Sequence, residues 1–406
     1  MAMAALMPVA EALAHVLDGA EPLPAESVPL DQALGRVLAD DLVALRTQPP
    51  DALSAMDGYA VRGEDVAQAP VTLTVLGEVA AGHPFDGAVG PGEAARIFTG
   101  GVLPPGADTV VIQENTAREN DRVVVQSVTK PGRNVRVAGL DFAKGSVLLR
   151  RSHRLTARDL MLAAAMNHPT VPVHRQARVA VLGTGDELVP PGTQPGPGEI
   201  VYSNGFGLAA LVRSEGGEVF DLGIAPDRVD ATAAAIRRAR EAQCDVLVTM
   251  GGASVGDHDV VQRALAGEGL ALAFWRIALR PGKPMMHGHL GGMRVLGLPG
   301  NPVSSFVCAV LFLVPLLRRL AGRLDLHAEI EDGVLGRALP QNDERADYLR
   351  ATLAEGPDGV TIATPLPVQD SSMMAPLALA DCLLIREPHA PAAPAGSPCR
   401  ILKLRI

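Results

Sequence analysis

The chain has 406 residues, and at roughly 150 residues per domain this length predicts two to four domains. Hydrophobic residues make up 48% and charged residues 20%, which is typical of a globular protein and excludes a disordered one. The net charge of −9 and the aromatic content of 3% argue against a nucleic-acid-binding protein, which needs basic surfaces or stacking faces. An anionic small ligand stays compatible with this composition if its counter-charges are local.

The cysteines and the longest apolar run bear on location. No two of the four cysteines are close enough for a CxxC motif, so we expect neither structural zinc nor a disulfide framework. A reducing, cytoplasmic location is therefore expected. The N-terminal segment carries Glu11 and lacks a basic region, which indicates a helix and not a signal peptide. The apolar run from Phe306 to Leu317 is shorter than the roughly 20 residues of a membrane span. It predicts a buried helix, and we expect no membrane partner.

The first and third segments of the chain predict a discontinuous helical domain, residues 1–46 and 147–176. Apolar residues at helical spacing predict one helix over 10–17 and a second through Leu30, Leu34 and Leu38. Another helix is predicted from Thr156, because Asp159 follows three residues later as in a capping box.

The segment between these two, residues 47–146, changes to a period of two. Alternating β-branched stretches at 71–77, 107–113 and 121–128 predict strands bounded by Gly, Pro and Asn. We therefore expect a small β domain inserted into the helical one.

The remaining sequence predicts two further domains. Strands and helices alternate through residues 177–326, which favours a doubly wound, mostly parallel sheet. Residues 327–406 return to short strands, two of them joined by a Gly-Pro-Asp-Gly turn, and predict a C-terminal β barrel. The predicted fold class is thus a multidomain α/β protein.

Three glycine-rich loops follow strands of the predicted sheet: GTGDEL (183–188), GGASVGDHD (251–259) and GLPGNPVS (297–304). Open α/β sheets bind ligands beyond the carboxyl ends of their strands, and glycine lets backbone N–H groups approach an anion. Each loop alone is equally compatible with an ordinary tight turn, but three at one edge favour a site. The third glycine of a dinucleotide fingerprint and a P-loop lysine are both missing, which disfavours those nucleotide sites.

Charged residues lie in and beside these loops. Acids such as Glu187 and Asp259 suit Mg²⁺ bridging to phosphate, although each by itself is as compatible with a solvated loop. Arg280 and Lys283 flank a Pro-Gly turn and are suited to hold one anion between them. His287 and His289 have the spacing of metal ligands but no third ligand, so a solvated strand face is expected.

Taken in order, SAMDGYA (54–60), RIFTGG (96–101), GTGDEL, GGASVGDHD, RPGKP (280–284) and GLPGNPVS resemble the MoeA/gephyrin-E-domain family of molybdopterin molybdenumtransferases. The resemblance extends over essentially the whole chain. It implies an Mg²⁺-assisted enzyme that inserts molybdenum from molybdate into adenylylated molybdopterin and releases AMP. It also implies a homodimer in which each active cleft is shared between the α/β domain of one subunit and the inserted β domain of the other.

The resemblance implies a set of site residues. As catalytic groups it implies Asp57, Glu187 and Asp259, the last two also binding Mg²⁺. As substrate-binding groups it implies Thr99, Asp141, Gly251, Gly252, Ser254, Arg280, Lys283, Pro299, Asn301, Pro302, Ser371 and Ser372. Two positions depart from the family: Arg280 stands where Lys is frequent, and Leu140 stands where an acid is common.

Two other functions compete with this one. A molybdopterin adenylyltransferase has a related fold, but it is mainly a single α/β domain and leaves SAMDGYA unexplained. A non-catalytic scaffold on the same fold is the other, and the presence of Asp57, Glu187, Asp259 and Lys283 argues against it.

Overall fold

A computed structural model describes residues 6–251, 260–356 and 359–404. The chain divides into two compact units. The first comprises residues 1–26, 35–39 and 173–406, and the second comprises residues 27–34 and 40–172. The boundaries of the four domains expected from the sequence stay predictions.

A six-stranded sheet forms the centre of the first unit. In spatial order its strands are Glu218–Ala225, Arg178–Thr184, Val246–Met250, Met293–Leu298, Met286–Leu290 and Ala271–Trp275. The first four run parallel, and the last two are antiparallel to their neighbours. The prediction of a mostly parallel sheet is confirmed.

Alternate residues of the strand Arg178–Thr184 enter separate hydrophobic clusters. Val179 and Val181 belong to one cluster, whereas Ala180 and Leu182 belong to another. Both sheet faces are therefore buried, as in a doubly wound fold, which explains why these strands are continuous apolar runs. The α-helices of this unit are Val9–Leu17, Asn204–Ser214, Val229–Glu241, Val260–Gly267, Pro302–Cys308, Val314–Leu320 and Met374–Ala378.

A π-helical turn, Ala309–Leu313, joins two of these helices into the continuous helix Pro302–Leu320. By length and composition it is the one helix in the described part of the chain that could cross a membrane. However, 83% of its most apolar window is buried inside the protein. It is a core helix, as the apolar run predicts.

A closed β barrel forms the C-terminal part of the first unit. Its five strands are, in order, Ala346–Glu355, Thr361–Pro365, Ile330–Leu335, Pro398–Lys403 and Cys382–Arg386, and the last pairs back with the first. The predicted barrel is confirmed. The two-residue strand Leu279–Arg280 adds to the barrel alongside Ala346 and Asp347, which attaches the RPGKP loop to it.

The second unit contains another six-stranded sheet. Its strands are, in order, Thr109–Ile112, Gly58–Val61, Glu93–Ile97, Val71–Val79, Arg122–Val125 and Thr116–Glu119. Smaller strand pairs join Leu53–Ser54 to Val135–Arg136 and Leu42–Val43 to Val147–Leu149. The three strands predicted from the alternating pattern are all present.

Helices are fewer here than the sequence predicts. The helix Ala157–Ala165 forms, the Thr156 N–H donates to Asp159 Oδ2 at 2.7 Å, and the Thr156 side chain accepts from the Asp159 N–H, as the capping box predicts. The helix expected through Leu30, Leu34 and Leu38 is wrong, because only a 3₁₀ turn, Leu30–Gln32, is found. Leu34 is 63% exposed, so the leucine spacing does not mark a buried helix face.

We predict that Phe312→Ala lowers the free energy of unfolding by about 3–5 kcal/mol, because Phe312 is fully buried in the core helix and its removal leaves a cavity. Phe206→Ala is the matched control, since Phe206 lies in a helix of the same unit but is 62% exposed. It should change stability by less than about 0.5 kcal/mol. Chemical denaturation of both variants measures the difference, and equal midpoints would contradict the burial assignment.

Candidate functional site

The carboxyl ends of the parallel strands open onto a cleft of about 1110 Å³ in the first unit. This is the edge at which open α/β sheets bind ligands. Of the residues predicted from the sequence, the cleft brings together Glu187, Gly251, Arg280, Lys283, Pro299, Asn301 and Ser371. Gly252, Ser254 and Asp259 lie outside the described residues.

Glycine backbone forms the tightest parts of this cleft. Gly251 has a φ of +96°, and a Cβ there would lie 2.4 Å from the Thr184 carbonyl oxygen. Gly282 has a φ of +129°, and a Cβ there would lie 2.6 Å from Cys308 Sγ. A side chain at either position would force the strand-end loops apart.

The buried helix begins at the cleft with Pro302, immediately after Asn301. Asn301 Nδ2 donates to Ser371 Oγ at 2.8 Å, and the Val303 N–H donates to the Ser371 carbonyl at 3.1 Å. The N-terminus of a helix carries partial positive charge, so this end of the cleft favours an anion, although Pro302 has no N–H and the Val303 N–H is already bonded to Ser371.

The loop that carries Ser371 is shaped by Arg350, which the sequence reasoning missed. Arg350 is 1% exposed, and its guanidinium donates to the carbonyls of Val368, Asp370 and Met373 at 3.3, 2.9 and 3.0 Å. The neighbouring Ser372 donates to Asp370 from both its N–H and its hydroxyl. Ser371 therefore contributes to the cleft lining, whereas Ser372 is engaged by its own loop.

The two cations of the RPGKP loop have different surroundings. Arg280 donates to Asp347 Oδ1 from Nε at 2.5 Å and also to its second oxygen, to Asp343 at 2.8 Å and to Asn342 at 2.9 Å. The hydrogen bonds with Asp347 are the main reason that the pKa of Arg280 is raised. Lys283, in contrast, has no ion pair or side-chain hydrogen bond with any residue that the structure describes. The prediction was that Arg280 and Lys283 flank one anion. In the structure Arg280 is already bound to two carboxylates of the protein, whereas Lys283 is not.

Arg345 is a further cation of the cleft that the sequence reasoning did not identify. It donates to Asp343 at 2.8 Å, while its Nε is buried and has no hydrogen-bond acceptor within the described ranges. Because that Nε is buried, Arg345 contributes its charge to the cleft and not this N–H.

The cleft is also lined by two carboxylates, Glu187 and Asp227, whose charge is opposite to that of its cations. Neither side chain has an ion pair or hydrogen bond with the part of the chain that is described, and both are exposed. Asp227 was also missed, although it follows the strand Glu218–Ala225, which ends at the same edge.

The carboxylates of the cleft are the groups in it that could hold a metal ion. The described residues contain no group of three His, Cys, Asp or Glu side chains able to hold one. Mg²⁺, however, is usually held by one or two carboxylates together with phosphate oxygens and water, and unpaired carboxylates beside an anion cleft fit that need. His287 is no candidate, and the prediction that it lies on a solvated strand face is wrong. It is fully buried, its Nδ1 lies 3.0 Å from the Val295 carbonyl oxygen, and burial lowers its pKa to about 4.

The second unit holds Asp57 and Thr99 together. Asp57 Oδ1 accepts hydrogen bonds from the Thr99 N–H and hydroxyl, both at 2.8 Å. These bonds, the backbone one first, and the nearby Arg96 lower the pKa of Asp57. Asp141 is exposed in a loop whose backbone pairs with Gln48, and its carboxylate has no partner among the described side chains.

Comparison with sequence models of protein families gives three successive matches. They are the MoeA N-terminal region (domain I and II) at residues 7–167, a probable molybdopterin binding domain at 180–319, and the MoeA C-terminal region (domain IV) at 332–404. They leave only short linkers and the chain ends unmatched.

Curated relatives and a solved structure agree with these matches. A molybdopterin molybdenumtransferase from Nostoc sp. is 42% identical over 304 residues, which are 73% of this chain and 70% of the relative. One from Bacillus subtilis is 33% identical over 387 residues, 93% of this chain and 90% of the relative. The crystal structure of a molybdopterin biosynthesis MoeA protein from Pyrococcus horikoshii matches with a TM-score of 0.86 and 32% identity, covering 99% of this chain and 100% of that one.

We predict that Arg280→Lys lowers the free energy of unfolding by about 1–2 kcal/mol, because a lysine cannot replace the fork that binds Asp347, which is 4% exposed, and Asp343. Arg337→Lys is the control, since Arg337 makes a single hydrogen bond to the Leu366 carbonyl. Denaturation midpoints measure both changes. Unaltered stability of Arg280→Lys would show that Arg280 is not held by these carboxylates in solution.

Proposed function

The chain belongs to the MoeA family, and we propose that it is a molybdopterin molybdenumtransferase of molybdenum cofactor biosynthesis. The observation that carries the proposal is the cleft at the sheet edge, where a helix N-terminus and Lys283 meet two carboxylates, and these three side chains have no partner among the described residues. Such a cleft suits a substrate with several negative charges. Its family models and its relatives' names support the same substrate class.

We propose that the substrates are molybdate and adenylylated molybdopterin. In the reaction two molybdenum–sulfur bonds form on the dithiolene of molybdopterin while molybdate loses oxygen as water, with protons taken from the thiols and the solvent. Water cleaves the phosphoanhydride bond, so AMP leaves and the other phosphate stays on molybdopterin. Cleavage of a phosphoanhydride depends mainly on positioning and on offsetting charge. Lys283, Arg345 and the N-terminus of the buried helix supply that charge, while Asn301 and Ser371 offer hydrogen-bonding groups to the oxyanion.

Mg²⁺ would be held by Glu187 and Asp259, and it would offset charge on phosphate oxygens. Glu187 is free of protein partners in the described part of the chain, which suits a residue that awaits a cation. Arg280 acts through the loop: its hydrogen bonds to Asp343 and Asp347 attach the segment carrying Lys283 to the barrel. The backbone of Gly251, Pro299 and Pro302, with Gly252 and Ser254, would complete the substrate-binding surface.

We propose that the enzyme is a cytoplasmic homodimer whose clefts are shared between subunits. Asp57, with Thr99 and Asp141, would contribute to the cleft of the other subunit. The support for this is chemical: Asp57 is a fixed carboxylate, its Oδ2 has no partner within the described ranges, and it lies in a separate compact unit from the anion cleft. All four cysteines are free, which fits a reducing compartment.

The proposal is tested by incubating the purified protein with adenylylated molybdopterin, molybdate and Mg²⁺ and measuring both cofactor and AMP. Formation of both supports a molybdenumtransferase. Adenylylation of molybdopterin by ATP without molybdenum insertion would favour the adenylyltransferase, and no conversion of either substrate would favour a scaffold.

We predict that Lys283→Gln raises the molybdate concentration for half-maximal insertion by about 10–100-fold. This is the loss of affinity expected when one hydrogen bond to a charged group is removed. The melting temperature should stay unchanged, because Lys283 has no partner among the described residues. Lys130→Gln, an exposed lysine of the second unit, is the control with the same change in charge. An unaltered molybdate requirement in Lys283→Gln would remove Lys283 from the site.

A mixed dimer of Asp57→Ala and Asp259→Ala subunits tests the shared cleft. Each variant alone should be inactive. In a mixed dimer, twofold symmetry places both substitutions in one cleft and leaves the other intact. Random reassembly makes about half of the dimers mixed, so about a quarter of wild-type activity should return.

The measurement is cofactor formation after the two variants are unfolded and refolded together, with different affinity tags to isolate mixed dimers. Asp57→Ala refolded alone is the control. Mixed dimers that are isolated but inactive would show that both residues serve the same subunit's cleft.

A further inference from the structure

Asn204 is a residue outside the predicted site whose side chain contacts the backbone of the cleft. It is the first residue of the helix Asn204–Ser214 and is half-buried, and its Nδ2 donates to the Gly300 carbonyl at 2.8 Å. Pro299, Gly300 and Asn301 all line the cleft, whereas Asn204 lines a second cavity of about 370 Å³. A side chain 96 positions away in the sequence thus holds one carbonyl of the loop GLPGNPVS.

The direction of the Gly300 carbonyl decides the direction of the N–H group that follows it. The peptide bond between Gly300 and Asn301 is trans, so its C=O and N–H point in opposite directions. Because Asn204 holds the carbonyl on its own side, the Asn301 N–H points away from Asn204. This N–H has no acceptor among the residues that the structure describes, and Asn301 is exposed in the cleft. It is therefore a backbone donor that a ligand in the cleft can reach.

The carbonyl and the side-chain amide of Asn301 are bonded within the protein. Its carbonyl accepts from the Ser305 N–H at 2.9 Å, and its Nδ2 donates to Ser371 Oγ at 2.8 Å. The preceding residue, Gly300, has no side chain to restrict its backbone, and glycine accepts many backbone conformations. In the described part of the chain, Asn204 is the one hydrogen-bond donor to the Gly300 carbonyl. The orientation of this peptide therefore depends on Asn204.

We propose that Asn204 is a positioning residue that orients the Asn301 N–H toward a tetrahedral oxyanion bound in the cleft. Lys283 lines the same cleft and supplies charge, whereas the N–H supplies a donor of fixed direction. Molybdate and a substrate phosphate share this oxyanion chemistry, and the experiment below distinguishes them. The identity of the anion rests on the proposed function, but the orientation of the peptide by Asn204 does not.

NMR can observe this peptide by itself, because Gly300 and Asn301 form the one Gly-Asn pair in the sequence. Protein labelled with carbonyl-¹³C glycine and ¹⁵N asparagine gives a single signal for it. Molybdate and inorganic phosphate are titrated in separate samples. The Asn301 amide proton should move downfield as the anion binds, because the N–H then donates to a charged acceptor. The anion that binds more tightly identifies the source, and an amide proton that moves with neither would overturn the proposal.

The variant Asn204→Ala tests the role of the side chain. It should weaken binding of that anion about tenfold, roughly the value of one hydrogen bond to a charged group, and reduce the shift of the Asn301 amide at saturation. Gln176→Ala is the matched control: Gln176 Nε2 donates to the Gly216 carbonyl at 2.9 Å in the same unit, before the amino end of the strand Arg178–Thr184. It removes the same kind of hydrogen bond and should leave both measurements unchanged.

Equal anion affinity and an equal Asn301 shift in Asn204→Ala and wild type would overturn the proposal. If Asn204→Ala does not fold, Asn204→Ser takes its place with the same expectation, since serine lacks the amide and is favoured at the start of a helix. Molybdenum insertion separates this proposal from the proposed function. In an active enzyme Asn204→Ala should raise the KM of the substrate that carries the oxyanion by about the same factor as the anion affinity falls. If wild-type protein inserts no molybdenum, the proposed function fails, and the NMR titration still decides the role of Asn204.

Discussion

Burial of the helix Pro302–Leu320 is the constraint on which the first unit depends. One hydrophobic cluster joins this helix to the N-terminal helix through Ala12 and Val16, to the central sheet through Val179 and Val181, and to the barrel through Leu383 and Leu402. The helix begins after a loop of three residues, 299–301, that follows the parallel strand Met293–Leu298. Its N-terminus is thereby placed at the carboxyl edge of the strands, where the glycine loops meet.

The opposite end of this helix is held by charge. Arg318 donates to Glu215 at 2.9 and 2.8 Å, and Arg323 donates to the same carboxylate at 2.9 Å. Glu215 and Arg323 are buried, so each needs the other to offset the loss of water. Packing and ion pairing therefore fix both ends of the element that supplies the helix N-terminus of the cleft.

In this chain, the cations that are paired within the protein support its structure, and those without a partner among the described residues are candidates for binding substrate. With a net charge of −9 the protein as a whole repels anions, so an anion site depends on local cations. Arg280 and Arg350 are engaged by protein carboxylates and carbonyls and act on loops, whereas Lys283 has no partner among the described residues and is left for a ligand. In the second unit, the acceptors of Arg96 among the described residues are the neutral Gly58 carbonyl and Gln113 side chain.

The sequence by itself determined the local elements and the motifs. The alternating strands, the capping box at Thr156, the apolar core helix and the ordered glycine loops follow from periodicity and from residue types a few positions apart, and the structure has them. It also determined the family and the edge of the sheet at which the candidate residues meet. Where the leucine spacing of residues 30–38 was misleading, the reason is that spacing records periodicity but not which side a neighbouring element covers.

Only the tertiary structure decided how charges are paired. Arg280 meets Asp347 across 67 positions, and Arg350 meets the carbonyls of a loop about 20 residues further on. Neither pairing leaves a local pattern, and the same holds for the burial of His287 and for the place of Asp227 in the cleft. A side chain's environment depends on what long-range folding brings against it, and this is why the sequence could place the site but could not tell which of its cations are free to bind.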